Sequence, residues 1–251
     1  MENQEYFAMF SNENTHWWYR ILHELTIFYL KKYLVNVDNP LILDAGCGTG
    51  RLLELLKKEK FKCEGIEYSD EALKYCKLRG LDGIIKADLN NVKLKEKYYD
   101  VIISNDVLYH KSIISDKIVI KKFKEALKPK GILILNLPAF EFLKSTHDTF
   151  IHTKKRYTKN AVNNMLINTG FKVEFISYRL FILFLPVMIY RIIKKIFCFK
   201  TTYNSDVQKM NNLLNKILFL IGKFENSLLK ANIKFPFGVS VIAIAKNCNN
   251  E

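Results

Sequence analysis

Three glycines at alternate positions follow an apolar run that ends in an acid. The run 41–44 closes in Asp44, and Gly46, Gly48 and Gly50 follow before an amphipathic helical pattern begins. Glycines placed directly after a strand let the backbone turn tightly and bring a ligand against bare main chain. The spacing differs from the G-x-G-x-x-G of dinucleotide-binding folds, because Arg51 occupies the position of the last glycine. The motif therefore favours an adenosine cofactor other than NAD.

Polar residues close three further predicted strands. Glu67 ends the second strand, Asp88 follows the third, and Asn105 and Asp106 follow the fourth. In an open α/β sheet the ligand binds over the carboxyl ends of the strands at the switch point. A carboxylate at Glu67 can accept both hydroxyls of a ribose, and one at Asp88 can accept an adenine amino group. These side chains are therefore expected on the same edge as the glycine turn.

Apolar runs alternate with helical patterns along the chain, which predicts a mostly parallel sheet with helices on both faces. Ser69 is a predicted N-cap, and Pro129-Lys-Gly131 is expected to turn into the fifth strand. About sixty residues that a minimal domain does not need separate the last two strands. The predicted helices cover 14–34, 51–59, 69–78 and 114–127, and the predicted strands cover 41–45, 61–67, 83–87, 100–104, 132–137, 171–177 and 239–245.

The order LILDAGCGTGR, GIEYS, KADL, YYDVIISNDVLYH and ALKPKGILILNLP resembles class I S-adenosylmethionine-dependent methyltransferases of the group that contains ubiquinone-biosynthesis enzymes. The resemblance covers roughly residues 14–178. It implies a Rossmann-like, mostly parallel seven-stranded sheet and S-adenosyl-L-methionine as the cofactor. The methyltransferase domain is expected at 1–178 and 239–251, with a helical cover at 1–36 and a helical insertion at 179–238.

The resemblance also assigns cofactor-binding roles. Asp44 and Gly46 would lie by the methionine part, and Asn105 would lie beside them. The opening His16-Trp-Trp-Tyr-Arg20 resembles the segment that covers the cofactor in related enzymes, so that Arg20 could meet the methionine carboxylate. The full set expected at the cofactor is Arg20, Asp44, Gly46, Gly48, Gly50, Glu67 and Tyr68 at the ribose, Asp88 and Leu89 around the adenine, and Asn105.

The segment 138–157 follows the fifth strand and is unusually rich in ionisable side chains for a connection. Its place over the carboxyl edge predicts a lid on the acceptor. His147 or His152 could take the acceptor proton, because imidazole titrates near neutral pH. Asp148 could orient that base, and Arg156, next to Tyr157, could hold an anionic group of the acceptor. Simple pairing of Arg156 with Asp148 is the alternative, and no metal site is expected.

Charge and cysteine content bound the setting of the protein. The net charge is +14, and residues 101–251 carry 24 Lys/Arg against 9 Asp/Glu, whereas 1–100 are near neutral. Such asymmetry points to an anionic partner or to a lysine-rich genome. Five scattered cysteines without a C-x-x-C pair indicate a reduced, cytoplasmic setting rather than a disulfide framework.

The insertion combines apolar and basic residues. Pro186, Arg191, Lys194 and Lys195 interrupt the apolar stretch 179–200, which makes it a poor membrane span but a candidate to lie in an interface. Lysines recur every seventh residue in the next helix and form a basic stripe. Attachment to the inner face of an anionic membrane is one prediction; packing on its own domain and contact within a homo-oligomer are the alternatives. The stripe contains Lys209, Lys216, Lys223 and Lys230.

The leading hypothesis is an enzyme that methylates a small or lipid-linked acceptor at oxygen, such as a quinone, polyprenyl or surface-glycan precursor. Methylation of RNA or protein is a second hypothesis, suggested by the charge. Nucleic acid is disfavoured as a partner because the aromatic residues follow helical core spacing and no recognised nucleic-acid module is present. A non-catalytic cofactor-binding scaffold is the third.

Overall fold

The computed structural model describes residues 1–196 and 210–248, with side chains described for 1–193 and 210–248. Seven strands form one sheet in the order β3-β2-β1-β4-β5-β7-β6. Strands β1 to β5 run parallel, and β7 runs antiparallel to both of its neighbours, β5 and β6. The strands are β1 Leu41–Ala45, β2 Lys62–Glu67, β3 Ile84–Lys86, β4 Tyr99–Asn105, β5 Leu127–Pro138, β6 Phe171–Arg179 and β7 Ser240–Asn247. The expected Rossmann-like, mostly parallel seven-stranded sheet is confirmed.

The chain leaves β1 toward β2 and β3 on one side, then returns to β4 on the other side of β1. The switch point therefore lies between β1 and β4, where the loops after the two strands diverge and leave a crevice. The register pairs Asp44 with Ile103, so both strands reach the same edge together. This geometry fixes where a ligand site can form.

Helices cover both faces of the sheet. The connecting helices are α3 Arg51–Lys58, α4 Asp70–Leu78, α5 Asp116–Ala126 and α7 Lys159–Asn168, and the covering helices are α1 Asn3–Asn12, α2 Trp17–Tyr33, α6 Thr146–Phe150, α8 Phe184–Ile196 and α9 Asn212–Lys230. The predicted N-cap of α4 is confirmed, because the Ser69 hydroxyl accepts a hydrogen bond from the Ala72 amide at 3.4 Å. Leu43, Ile102, Ile134 and Ile244 are fully buried, which explains the continuous apolar runs of a sheet covered on both faces.

The insertion helix α9 packs on the N-terminal helix α2. The Asn226 amide donates to the Ile21 carbonyl at 2.8 Å, and the Tyr29 hydroxyl donates to the Leu229 carbonyl at 3.2 Å. Gly222 makes the approach close, since a Cβ there would lie 2.6 Å from Ile21 Cδ1. The packing of α9 on its own domain, one of the alternatives from the sequence, is therefore present.

Several elements differ from the sequence expectation. Helix α6 and helix α7 were not predicted, and the expected helix over 14–34 begins only at Trp17. The expected turn at Pro129-Lys-Gly131 is instead part of strand β5. The pairing of β5 with β4 shifts register there, between Tyr99 and Val101 of β4. A bulge of this kind lets a strand continue through residues that would otherwise mark a turn.

Candidate functional site

The three glycines of the turn after β1 all adopt the left-handed backbone. Their φ angles are +88° at Gly46, +55° at Gly48 and +84° at Gly50, a region that other residues enter only with strain. A Cβ on Gly46 would lie 2.5 Å from Cγ2 of Val107, in the loop after β4. The glycine turn therefore touches the loop after β4 with no room for a side chain.

Glu67 ties the end of β2 to this turn. Its Oε2 accepts from the Gly48 amide at 2.9 Å, and its Oε1 accepts from the amides of Tyr68 and Ser69, both at 2.9 Å. Each carboxylate oxygen can accept two hydrogen bonds, so Oε2 keeps one position for a ligand hydroxyl. Glu67 and the exposed Tyr68 both line the cavity beside the turn.

Two acceptors at the end of β1 and β4 have no protein donor. Within the part of the chain that the structure describes, the buried Asp44 carboxylate accepts no hydrogen bond and Asn105 Oδ1 has no partner, while Asn105 Nδ2 donates to Thr26 Oγ1 at 3.3 Å. Burial, and then the nearby Glu67, raise the pKa of Asp44 to about 7. Buried acceptors of this kind fit a cationic or hydrogen-bond-donating ligand.

Asp88 and Leu89 line the far end of the same cavity. Asp88 Oδ1 accepts from the amide and the side chain of Asn90 at 2.9 and 2.7 Å, and Oδ2 accepts from Asn91 Nδ2 at 3.2 Å. These bonds make Asp88 the residue that shapes the turn after β3. Its Oδ2 can accept one further bond from an amino group.

Helix α1 lies over the glycine turn. The buried Glu13, just after α1, accepts from the Thr49 hydroxyl and from Arg79 Nη2, the latter at 2.7 Å. The guanidinium of Arg79 also stacks on Phe10, 4.7 Å from the ring centre. Met9 Sδ would lie 3.3 Å from a Cβ on Gly48. These contacts hold the N-terminal cover against the turn and exclude solvent from it.

Four residues predicted for the site, Arg20, Gly50, Asp148 and Tyr157, do not line the cavity. Arg20 is exposed and stacks on Phe219, 3.7 Å from the ring centre, because Tyr19 and His23 take the cavity face of α2. The Tyr157 hydroxyl is buried and donates to Asp116 Oδ2 at 2.9 Å and to the Leu108 carbonyl at 3.1 Å. Arg20 therefore does not reach the methionine end, and Tyr157 serves the packing of the lid segment.

The lid segment brings together the other predicted residues in a different pairing. Asp148 is buried and accepts from Arg156 Nε at 2.8 Å and Nη2 at 3.0 Å, and it also accepts from the Ser145 amide at 2.7 Å. The carboxylate therefore pairs with Arg156 and caps α6 instead of orienting a histidine. His147, His152 and Arg156 all line the cavity.

His152 lies at the rim of the cavity beside a histidine that the sequence analysis did not single out. Its Nε2 lies 2.8 Å from Glu2 Oε1, and its ring centre lies 5.6 Å from that of His110. Burial lowers the pKa of His110 to about 4. No cluster of three or more metal-ligating side chains occurs among the residues that the structure describes.

A single cavity of about 1090 Å³ connects the glycine turn with the insertion. This volume is at the upper end of small-molecule sites. Beyond the cofactor end the walls are mainly apolar and aromatic, with Arg156 and Arg191 among them, and one face of α8 forms part of them. The lining there includes Trp17, Trp18, Tyr19, Leu22, Tyr109, Ile151, Leu180, Leu183, Val187, Tyr190 and Val239.

Asp106 was expected at the rim of the site, but its link to Asn136 and Arg179 was not. Asp106 lines the cavity with φ at +55° and accepts from Asn136 Nδ2 at 2.9 Å. The fully buried Arg179 donates to Asn136 Oδ1 at 2.8 Å from β6. The acid after β4 was visible as part of the rim, but no spacing in the sequence joins it to residues 30 and 73 positions later.

Residues 43–135 match the model of a family described as a methyltransferase domain. The chain is 30% identical over 115 residues to a ubiquinone biosynthesis O-methyltransferase of Nitrosomonas europaea, covering 40% of this chain and 49% of that protein. It is 33% identical over 118 residues to a tRNA (carboxymethyluridine(34)-5-O)-methyltransferase of Arabidopsis thaliana, covering 47% of this chain and 28% of that protein. The chain thus matches only about half of the length of the curated ubiquinone-biosynthesis relatives, or slightly more.

The fold extends the likeness over the whole chain. A solved S-adenosylmethionine-dependent methyltransferase of Thermotoga maritima superposes with a TM-score of 0.58 at 15% identity, covering 97% of this chain and 95% of that one. At this identity the likeness concerns the fold. The sequence matches show that residues 43–135 form a methyltransferase domain, and the fold is that of solved S-adenosylmethionine-dependent methyltransferases.

The cofactor of this class, S-adenosyl-L-methionine, fits the residues present. It carries a sulfonium and an ammonium group, which match the acceptors of Asp44 and Asn105 that lack protein donors. Its ribose diol matches the open acceptor position on Glu67, and its adenine amino group matches Asp88.

We expect Glu67→Ala to weaken the binding of S-adenosylhomocysteine about 10- to 100-fold, because a bond to a charged acceptor contributes about 1.5–3 kcal/mol and the glycine turn loses its tether. Isothermal titration calorimetry measures this. Glu71→Ala is the matched control, since Glu71 pairs with Lys74 on the surface of α4. Unchanged affinity in Glu67→Ala would contradict the assignment.

We expect Asp44→Asn to stabilise the unliganded protein at pH 8 and to weaken cofactor binding. The raised pKa of Asp44 means that its contribution to stability is present below its ordinary value near 3.8 and is lost as pH rises through about 7. Thermal melts at pH 8 should therefore show a gain of about 2–4 °C for each kcal/mol relieved, and the gain should be smaller at pH 5 and vanish only below about pH 4, near the ordinary pKa of the carboxyl. A variant that is destabilised equally at both pH values would show that Asp44 has a structural role instead.

Proposed function

We propose that the protein transfers a methyl group from S-adenosyl-L-methionine to an oxygen of a small or lipid-linked acceptor. The observation that carries the proposal is the cavity, which runs from the glycine turn to a mainly apolar and aromatic compartment bordered by α8. Such walls suit an aromatic or aliphatic acceptor better than a nucleotide or a polypeptide side chain. The Nitrosomonas europaea relative, an O-methyltransferase by name, supports transfer to oxygen.

The bound cofactor would supply a methyl group on a positively charged sulfur, which is intrinsically reactive toward a nucleophile. The residues of this chain would provide position and a dry site. Glu67 would hold the ribose and Asp88 the adenine of the bound cofactor, and the cover formed by α1 and α2 would exclude water. His147 and His152 are proposed to face the acceptor at the cavity mouth, and the Asp148–Arg156 pair holds the segment that carries them.

Helices α8 and α9 of the insertion carry apolar side chains that are exposed to solvent. We define the α8–α9 face by Leu185, Ile189, Leu213, Ile217, Leu220 and Phe224, whose exposures lie between 45% and 68%. Lys216 and Lys223 of the predicted stripe are exposed beside it. Lys230 instead pairs with Glu24, and Lys209 lies outside the described residues.

No helix in the described part of the chain is long and apolar enough to cross a membrane. Apolar side chains flanked by lysines are typical of helices that lie in the surface of an anionic bilayer. We therefore propose that the α8–α9 face rests on the inner surface of an anionic membrane. Because the opposite face of α8 lines the cavity, a lipid-linked acceptor would have a short path to the site.

Methylation of RNA is a second candidate. It is favoured by the relative from Arabidopsis thaliana, which acts on tRNA by name, and by the net charge of +14. A non-catalytic scaffold is the third candidate, and the intact cofactor end of the cavity disfavours it. These candidates differ in where a transferred methyl group would be found.

The protein and methyl-tritiated S-adenosylmethionine are added to an extract of cells that lack the protein. We expect the label to enter the solvent-extractable lipid fraction, because the acceptor compartment is apolar. Scintillation counting of lipid, aqueous, RNA and protein fractions measures the transfer, and Glu67→Ala provides the inactive control. Label found only in RNA or protein would replace the acceptor proposal. Binding of S-adenosylhomocysteine without label in any fraction would indicate a scaffold.

We expect the protein to co-float with vesicles that contain anionic phospholipid at low salt, and to be released as salt screens the lysines. Leu220→Glu combined with Phe224→Glu should abolish flotation. Ile118→Glu is the matched control, because Ile118 is equally exposed, at 55%, on α5.

Absence of flotation without added salt would refute membrane attachment. Sedimentation of the wild type as a dimer, with the double variant a monomer, would show that a second copy covers the face instead.

A further inference from the structure

A half-buried acid after β4, Asp106, combines three properties of a proton acceptor. Asp106 lines the cavity, and its backbone is held at φ +55° by a bond from its own amide to the Asn136 carbonyl at 2.8 Å. Its Oδ1 accepts from Asn136 Nδ2 at 2.9 Å. Its Oδ2 accepts no hydrogen bond from any residue within the described ranges. The carboxylate is thus fixed at one oxygen and available at the other.

The position of Asp106 is set from two sides. Val107, the next residue, fills the space at Gly46, so the loop after β4 packs directly against the glycine turn. Asn136 in β5 links Asp106 to the buried Arg179 in β6 through its amide and its oxygen. Asp106 therefore stands beside Asn105, between the cofactor end and the apolar compartment. An acceptor held in that compartment would bring its reacting oxygen past this point as it approaches the cofactor.

We propose that Asp106 is the catalytic base that takes the acceptor proton, held in position by Asn136 and Arg179. This inference rests on the proposed transfer to oxygen. As the acceptor oxygen forms its bond to the methyl carbon, its O–H bond breaks and the proton passes to Oδ2 of Asp106. The electron pair of the broken carbon–sulfur bond stays on sulfur, so atoms and charges balance without a further reactant.

The charged and titratable groups around Asp106 suit this role. Arg179 on β6 and Arg156 on the lid segment favour its ionised form, whereas Tyr19 on α2 and Tyr109 in its own loop lie on the remaining sides. Burial outweighs both arginines and raises the pKa of Asp106 to about 6. A base with a pKa near the working pH is ionised and still a useful acceptor.

Other titratable groups of the cavity are less suited. Burial lowers the pKa of His23 to about 3 and that of His110 to about 4, which makes both weak bases. Burial raises the pKa of Tyr6 to about 12 and raises that of Tyr109 further, so these hydroxyls stay protonated. Asp44 lies at the methionine end, where a cationic ligand would keep it ionised. His147 remains the competitor that an experiment must separate.

The test measures methyl transfer from labelled S-adenosylmethionine to an extract of cells that lack the protein, between pH 5 and 9. The wild type should lose activity below about pH 6. Asp106→Asn should lose about 100-fold or more at pH 7, the contribution typical of a general base. Its remaining rate should keep rising with pH as the acceptor ionises in solution, a response that a purely structural role would not produce. Asp106→Glu should restore part of the rate.

Calorimetry with S-adenosylhomocysteine and thermal melts verify that Asp106→Asn is folded and binds within about threefold of the wild type. A rate for Asp106→Asn within tenfold of the wild type at pH 7 overturns the proposal, as does a loss of the acid limb in His147→Ala rather than in Asp106→Asn. If the wild type labels no fraction of the extract, the proposed function itself fails. If the wild type labels the extract and Asp106→Asn does so equally, only the role of Asp106 fails.

Discussion

The close contact between the glycine turn and the loop after β4 is the constraint on which the site depends. Gly46 leaves no space between itself and Val107, and Gly48 donates to Glu67 at the end of β2. Three neighbouring strand ends are thereby locked into one surface. Because this surface is made of backbone in the left-handed region, its shape cannot relax toward a ligand without breaking those contacts. Preorganisation of the cofactor end follows from packing and does not require the ligand.

The cofactor end could be predicted from the sequence because every residue in it sits at the end of a strand. The strands are readable as continuous apolar runs, the glycines mark the turn, and Glu67 and Asp88 follow by position alone. Helix α1 lacks such a signal, because its buried residue, Glu5, is polar. The helix is held over the glycine turn by hydrogen bonds that Glu13 accepts from Thr49 and Arg79. Contacts of this kind join residues 36 and 66 positions apart, and no local pattern announces them.

The acceptor end was less predictable, because segments from opposite ends of the chain build it. The amide of Trp17 donates to Asn215 at 2.9 Å, 198 residues away, and Lys230 pairs with Glu24. The N-terminal cover and the insertion therefore pack together and cover the cavity jointly. On the lid, the sequence allowed Asp148 to serve either a histidine or Arg156. In the structure Asp148 pairs with Arg156, because two hydrogen bonds from the guanidinium stabilise the carboxylate more than a single hydrogen bond from an imidazole would.

Buried charged groups lower the free energy of unfolding of this fold below what an apolar core would give. Asp44 is buried beside the like charge of Glu67, and Arg179 keeps Nε and Nη2 without acceptors in the part of the chain that the structure describes. Burial lowers the pKa of Arg179 and raises that of Asp106, so both charged forms are costly in the unliganded protein. A core selected for stability alone would replace such groups by apolar ones. Asp44 and Asp106 instead line one cavity at the ends of two neighbouring strands, an arrangement that suits the proposed site, which must hold a cation and receive a proton in separate places.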